Sequence, residues 1–147
     1  MIENGQTNDE AQIRQLLDEW VDALWVKDVD KILQLYSPDV VTFDVVPPLQ
    51  YIGTPAYGKS FRRMFDAFRG SITFETCDLS IAVGADVAFS HSLVRTIGTT
   101  NNGEKTDRWL RRTVCLRKVG GKWLIVHEHV SVPVNLATGK GDLQPNP

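Results

Sequence analysis

Apolar side chains recur at helical spacing through the first part of the chain and at alternate positions through most of the rest. Ile13, Leu16, Leu17, Trp20 and Leu24 lie three or four residues apart, so they form one helix stripe that must be buried. Ahead of them Thr7 and Glu10 match a capping box, in which each side chain satisfies a free backbone N–H. Asp28-Val29-Asp30 offers a second acidic start, followed by Ile32, Leu35 and Tyr36 in a short helix that Pro38 cannot continue. Residues 40–46 are β-branched and aromatic and predict a strand, which Pro47-Pro48 ends. Thr54-Pro55 is cap chemistry for a third helix, with Phe61, Met64, Phe65 and Phe68 on one face and Gly70 as its stop.

From Ser71 the period changes to two. Residues 72–82, 86–99, 107–118 and 122–133 predict four long strands, and Asn101-Asn102-Gly103 and Gly120-Gly121 supply hairpin turns. Three helices, a strand and then an antiparallel meander exclude a doubly wound parallel sheet. The helices must cover one face of the sheet, which is an α+β plan. One domain over residues 1–134 is expected. The Gly-, Pro- and polar-rich stretch 135–147 reads as a mobile tail.

With 147 residues the chain can bury a real core. A net charge of −2 gives no basic face for nucleic acid. The polar, acidic start MIENGQTNDEAQ does not look like a signal peptide, and no apolar run is long enough to span a bilayer, so a cytoplasmic location and no membrane partner are expected. Cys77 and Cys115 have no metal-ligand spacing and read as buried thiols.

Two local motifs then carry a resemblance. Gly121-Lys122-Trp123-Leu124-Ile125-Val126-His127-Glu128-His129 with Ser131 and Pro133 resembles the last strand of the calcium/calmodulin-dependent protein kinase II association domain. Asp28-Val29-Asp30 through Leu35-Tyr36 to Asp44 resembles the same stretch of ketosteroid isomerase. With the order of elements, these make the chain similar to the nuclear-transport-factor-two-like superfamily, which includes the SnoaL-like polyketide cyclases. The resemblance implies a cystatin-like cone, three N-terminal helices packed on a curved, mostly antiparallel sheet. It covers Glu10 to about Pro133, and no kinase catalytic segment is present.

The resemblance places Asp44 where the isomerase keeps its proton-shuttling aspartate. Trp20 stands where that family keeps an oxyanion-hole tyrosine, and Thr113 where it keeps a protonated aspartic acid. Loss of both donors argues against steroid isomerisation. The association domain's pocket arginines match His91, Thr113 and Val130, so that anion site is not preserved.

With Thr113 taken as facing the helices, alternation turns Trp109, Arg111 and Cys115 inward, with Val87, Phe89, His91, Leu93 and Arg95 on the neighbouring strand. The family match sends Val126, Glu128 and Val130 inward, leaving Trp123, His127, His129 and Ser131 on the convex face. Asp44, His91 and Glu128 become the candidate catalytic groups. Glu128 needs Arg111, His91 or a ligand as partner, because an unpaired buried carboxylate is costly. Trp20, Tyr57, Phe61, Phe65, Phe89, Trp109, Arg111, Thr113, Val126 and Val130 are the candidate ligand contacts. His127 and His129 share a face but lack a third ligand at short spacing, so packing at a subunit interface beside Trp123 is expected rather than metal.

Two functions stay open. One is a cofactor-independent isomerase, cyclase or dehydratase using acid–base chemistry on a small hydrophobic carbonyl compound. The other is a non-catalytic ligand-binding or oligomerisation module. Both expect no cofactor, and both expect a homodimer through the convex face, because Trp123, Ile125, Leu110 and Val114 would otherwise be exposed.

Overall fold

A computed structural model of the chain describes residues 2–143, with side chains from residue 8 onward. Helices α1 (Ile2–Trp25), α2 (Val29–Leu33) and α3 (Thr54–Ala67) lie against a six-stranded sheet. Its strands are β1 (Tyr36–Phe43), β2 (Tyr51–Ile52), β3 (Phe68–Val83), β4 (Val87–Thr100), β5 (Lys105–Val119) and β6 (Lys122–Ser131), in the order β2-β1-β6-β5-β4-β3. Only β1 and β6 run parallel; every other pair is antiparallel. This is the α+β plan expected from the pattern of elements.

The α1 stripe is buried as its spacing requires: Ile13, Leu16, Leu17, Trp20 and Leu24 are all core. Backbone helix continues ahead of Thr7, so Thr7 does not begin it, and its side chain lies outside the described residues. Asp28 does cap α2, accepting from the Lys31 N–H at 3.1 Å. That helix ends at Leu33, earlier than expected, and Tyr36 opens β1 instead. Pro38 falls where the β1–β6 register shifts between Tyr36 and Val41, so its missing N–H breaks no ladder bond. Gly70 does not stop α3. It sits inside β3 with φ 67°, where the register with β4 shifts between Arg69 and Thr73, and a bulge there favours the left-handed conformation of glycine.

The stretch expected as a tail is described as far as residue 143. Strands β7 (Val134–Asn135) and β8 (Lys140–Gly141) pair as a small hairpin. The Asp142 N–H donates to the Pro133 carbonyl (2.7 Å), and the Trp109 N–H donates to the Leu143 carbonyl (3.2 Å). The second of these bonds fastens the segment to β5, where it gives the Trp109 N–H a partner at the sheet's end.

Candidate functional site

Helices and sheet enclose a cavity of about 530 Å³, a size that suits a small molecule. Trp20 and Leu24 of α1, Phe61 and Met64 of α3, and Val94 and Leu110 of the sheet make most of its wall apolar. The exposed lining residues Val46, Pro47 and Arg63 mark where it meets solvent, and Leu143 of the tail adds part of the wall. Among the described residues, no group of three or more His, Cys, Asp or Glu is placed to hold a metal. No helix there is long and apolar enough to cross a membrane.

Deep in the cavity wall, Glu128 is 1% exposed and receives three hydrogen bonds. Arg112 Nε donates to Oε1 at 2.6 Å, while the hydroxyls of Tyr36 (2.6 Å) and Tyr57 (2.9 Å) donate to Oε2. Trp20 Nε1 donates in turn to the Tyr36 hydroxyl at 2.8 Å. Burial first, and then the Glu128 charge, hold both phenols well above the ordinary tyrosine range, so each keeps its proton. Both Glu128 oxygens are thus engaged, and the carboxylate ties Arg112 to the two tyrosines. Burial is the largest single effect on Arg112 and lowers its pKa, but the Glu128 charge and hydrogen bond, with Tyr36 and Tyr57, together outweigh it and shift the pKa upward on balance. The Arg112 guanidinium lies 4.1 Å from the Trp20 ring centroid and 5.5 Å from that of Phe74. Its Nη2 is buried and has no hydrogen-bond partner among the described residues.

Asp44 lies just past the end of β1 and borders the same cavity as Arg112 and Glu128. Burial raises its pKa from the ordinary 3.8 to about 6. A bond from the Val45 N–H to Oδ1 (2.7 Å) partly opposes that shift, and the Glu128 charge adds to it. A carboxylate with this affinity for protons is suited to taking one and giving it back near neutral pH.

The structure brings together only part of the expected set. Asp44 and Glu128 share the cavity, but His91 is exposed on the opposite face of the sheet. His91 therefore does not join Asp44 and Glu128 as the third candidate catalytic group. Strands β4 and β5 point the other way from the alternation anchored on Thr113. Ala88, Ser90, Ser92 and Val94 face the helices on β4, as do Leu110, Arg112, Val114 and Leu116 on β5. Phe89, Trp109, Arg111, Thr113 and Cys115 lie on the open face, where Arg111 Nε donates to Ser131 Oγ at 3.1 Å. The partner of Glu128 is thus Arg112 and not Arg111.

On β6 a bulge explains the mixture. Cys115 pairs with His127 but Leu116 pairs with Ile125, leaving Val126 unpaired. Trp123 and Ile125 therefore face the core on one side of the bulge, and Glu128 and Val130 face it on the other. Val126 does not line the cavity, whereas Val130 does. Trp20, Tyr57 and Phe61 line it as expected; Phe65 packs behind Phe61 in the core. His127 and His129 do stay off the cavity, edge-on to Phe43 at 4.7 and 5.4 Å, and His127 Nδ1 lies 2.6 Å from the Val41 carbonyl. Their expected neighbour Trp123 is on the other face, its Nε1 donating to Asp9 Oδ1 at 3.2 Å.

Sequence reasoning missed Arg112 and Tyr36. For Arg112 a signal existed: Leu110, Val114 and Leu116 share its parity and are more apolar than their neighbours.

Known proteins place this geometry in context. The profile of the SnoaL-like domain matches residues 13–135. A nuclear-transport-factor-two-like protein of unknown function from Pseudomonas putida KT2440 is 32% identical, with 96% of this chain and 98% of that one covered and a TM-score of 0.87. A protein from Xanthomonas campestris, provisionally named a calcium/calmodulin-dependent protein kinase II association domain, is 25% identical over 81% of this chain and 84% of its own, with a TM-score of 0.72. A provisionally named scytalone dehydratase from Novosphingobium aromaticivorans shares the fold at 18% identity, covering 99% and 97% with a TM-score of 0.77. No curated protein sequence matches. A domain match spanning most of the chain, on a fold with this helix-capped cavity, means that the chain belongs to the SnoaL-like family of the nuclear-transport-factor-two-like superfamily.

Proposed function

We propose that this protein is a cofactor-independent acid–base enzyme, an isomerase, cyclase or dehydratase acting on a small hydrophobic carbonyl compound, with Asp44 as the proton-transferring group. The observation that carries this reading is Asp44 itself: a carboxylate with pKa about 6 on the wall of a largely apolar cavity of about 530 Å³. Apolar walls hold the substrate and exclude water, while one such carboxylate can remove a proton alpha to a carbonyl and return it elsewhere. A shared fold with a provisionally named dehydratase agrees with this chemistry at the level of architecture.

The test is deuterium incorporation into a panel of small hydrophobic ketones, followed by NMR in heavy water. Catalysed exchange should fall about 10²- to 10⁴-fold in Asp44→Asn, the range one positioned base provides. Exchange that survives this substitution unchanged rules out Asp44 as the base.

A second reading, a non-catalytic binding or assembly module, draws on the locked Glu128–Arg112 pair and on the likeness to the provisionally named association domain. Self-association would use the open sheet face. The apolar groups exposed there include Val87 (51%), Phe89 (50%) and Phe43 (38%), whereas Trp123, Ile125, Leu110 and Val114 face inward. Sedimentation of a Phe89→Glu variant checks this: a dimer should weaken, and a wild-type monomer at all concentrations refutes it.

A further inference from the structure

Glu128 fixes one edge of the Arg112 guanidinium and leaves another uncommitted. Arg112 has 4% of its side chain exposed, its Nε is engaged at 2.6 Å, and Trp20 covers its face at 4.1 Å, so the fork has little freedom to turn. Ser92, small and 9% exposed, pairs with it across β4 and β5 and leaves room for the group. Yet Nη2 is buried with no acceptor among the described residues, on a side chain that borders the cavity. A buried N–H left unpaired costs free energy, and retaining one beside an apolar cavity is understandable if a ligand oxygen completes it.

We propose that Arg112 is a second catalytic group of this site, the hydrogen-bond donor to the carbonyl oxygen of an enolisable, uncharged ketone or aldehyde. This inference rests on the reading of Asp44 as the base. In the step, the α C–H bond breaks and its proton passes to the Asp44 carboxylate. The electron pair moves into the carbon–carbon bond, and the carbonyl π pair becomes the enolate oxygen's charge. Arg112 holds that oxygen, and Asp44 then returns its proton to carbon, or to a departing hydroxyl that leaves as water. Each outcome is redox-neutral and needs no co-reactant. Trp20 does not donate to the substrate because its Nε1 is committed to Tyr36. Its ring supports the guanidinium instead. An uncharged substrate fits because Asp44 and Glu128 already place two carboxylates on the cavity wall.

The probe is 4-nitrophenol, which changes colour on ionisation and whose anion imitates an enolate; 4-nitroanisole, of similar shape, cannot ionise. The protein should bind 4-nitrophenol with the bound fraction shifted to phenolate, and more tightly than 4-nitroanisole. The double variant Arg112→Met/Glu128→Gln removes both buried charges together, so neither is stranded. It should weaken 4-nitrophenol binding about 10- to 100-fold, the range of a hydrogen bond to a charged group, and leave 4-nitroanisole nearly unchanged. Arg112→Lys, which keeps the charge but loses the fork, should weaken it to a lesser degree and serves if the double variant does not fold. Asp44→Asn should bind phenolate as tightly as the wild type or more so, since it removes a neighbouring negative charge. Phenolate binding that ignores both Arg112 variants, or a wild type that binds no 4-nitrophenol at millimolar concentration, overturns the assignment of Arg112. Loss of ketone exchange in Asp44→Asn decides the Asp44 reading separately.

Discussion

Replacing Asp44 by Asn should make the protein more stable at neutral and alkaline pH, and by an amount that depends on pH. The folded pKa of about 6 lies above the ordinary 3.8, so the native state binds this proton more tightly than the unfolded chain does. The favourable contribution of Asp44 is therefore fully present below about pH 4 and is lost as pH climbs through about 6. A difference of about 2 pKa units corresponds to about 3 kcal/mol, and part of the side chain still meets solvent, so about 1–3 kcal/mol is expected. Asparagine keeps an acceptor for the Val45 N–H and cannot ionise. Urea denaturation of both proteins across the pH range isolates the effect, because other titrating groups largely cancel in the difference. The variant's advantage should be near zero at about pH 3.5, grow through the range 4–6 and level off by about pH 8. A flat difference, or a variant that is less stable at pH 8, would show that burial does not oppose the Asp44 charge. The proposed base would then lose its physical foundation.

Substitutions at three further positions probe the scaffold around that group. Glu128→Ala leaves Arg112 buried without its counter-charge and two tyrosine hydroxyls without an acceptor, and should cost about 3–5 kcal/mol in urea denaturation; Glu128→Gln, which preserves an acceptor, should cost less. Trp20→Phe removes the donor to Tyr36 and part of the surface over Arg112, and should lower stability by about 1–2 kcal/mol in the same assay. Gly98→Ala would set a Cβ 2.8 Å from Phe68 Cδ1 and 3.1 Å from Cε1, so overpacking of about 1–3 kcal/mol should appear as a lower thermal midpoint. An unchanged midpoint would mean that Phe68 can swing aside without loss.

Element order was legible because each element carries its own period and punctuation: the α1 stripe, the proline-led start of α3, the glycine turns of the meander. The direction in which each strand faces was much less legible. On β5 the more apolar parity, Leu110, Val114 and Leu116, does face the core, and following it alone would have turned Arg112 inward. On β4 the same rule misleads. Phe89, Leu93 and Ile97 are the larger residues, yet Ser90 and Ser92 are the buried ones, 2% and 9% exposed. Small side chains are needed on the helix side where the Arg112 fork and the Trp20 ring take up the space.

On β6 no single parity is right, because the bulge at Val126 lets Trp123 and Glu128, five residues apart, face the same core. A strand anchored by family position alone fails in the same way, since a one-residue slip exchanges every inward side chain for its neighbour. The slip here exchanged Arg112 for Arg111 and brought His91 into a cavity it does not reach. Glu128 was recoverable on physical grounds, because a carboxylate among valines demands a buried cation and two arginines stood at the right distance along the facing strand. Which of the two it was depended on register, and register is set by Cys115 and Leu116 pairing on either side of the bulge, which composition does not report. The chemistry of a site built on strands therefore hinges on the bulges that feed it. In this fold the bulge at Val126 sets Glu128 facing the core, where it fixes the position of Arg112.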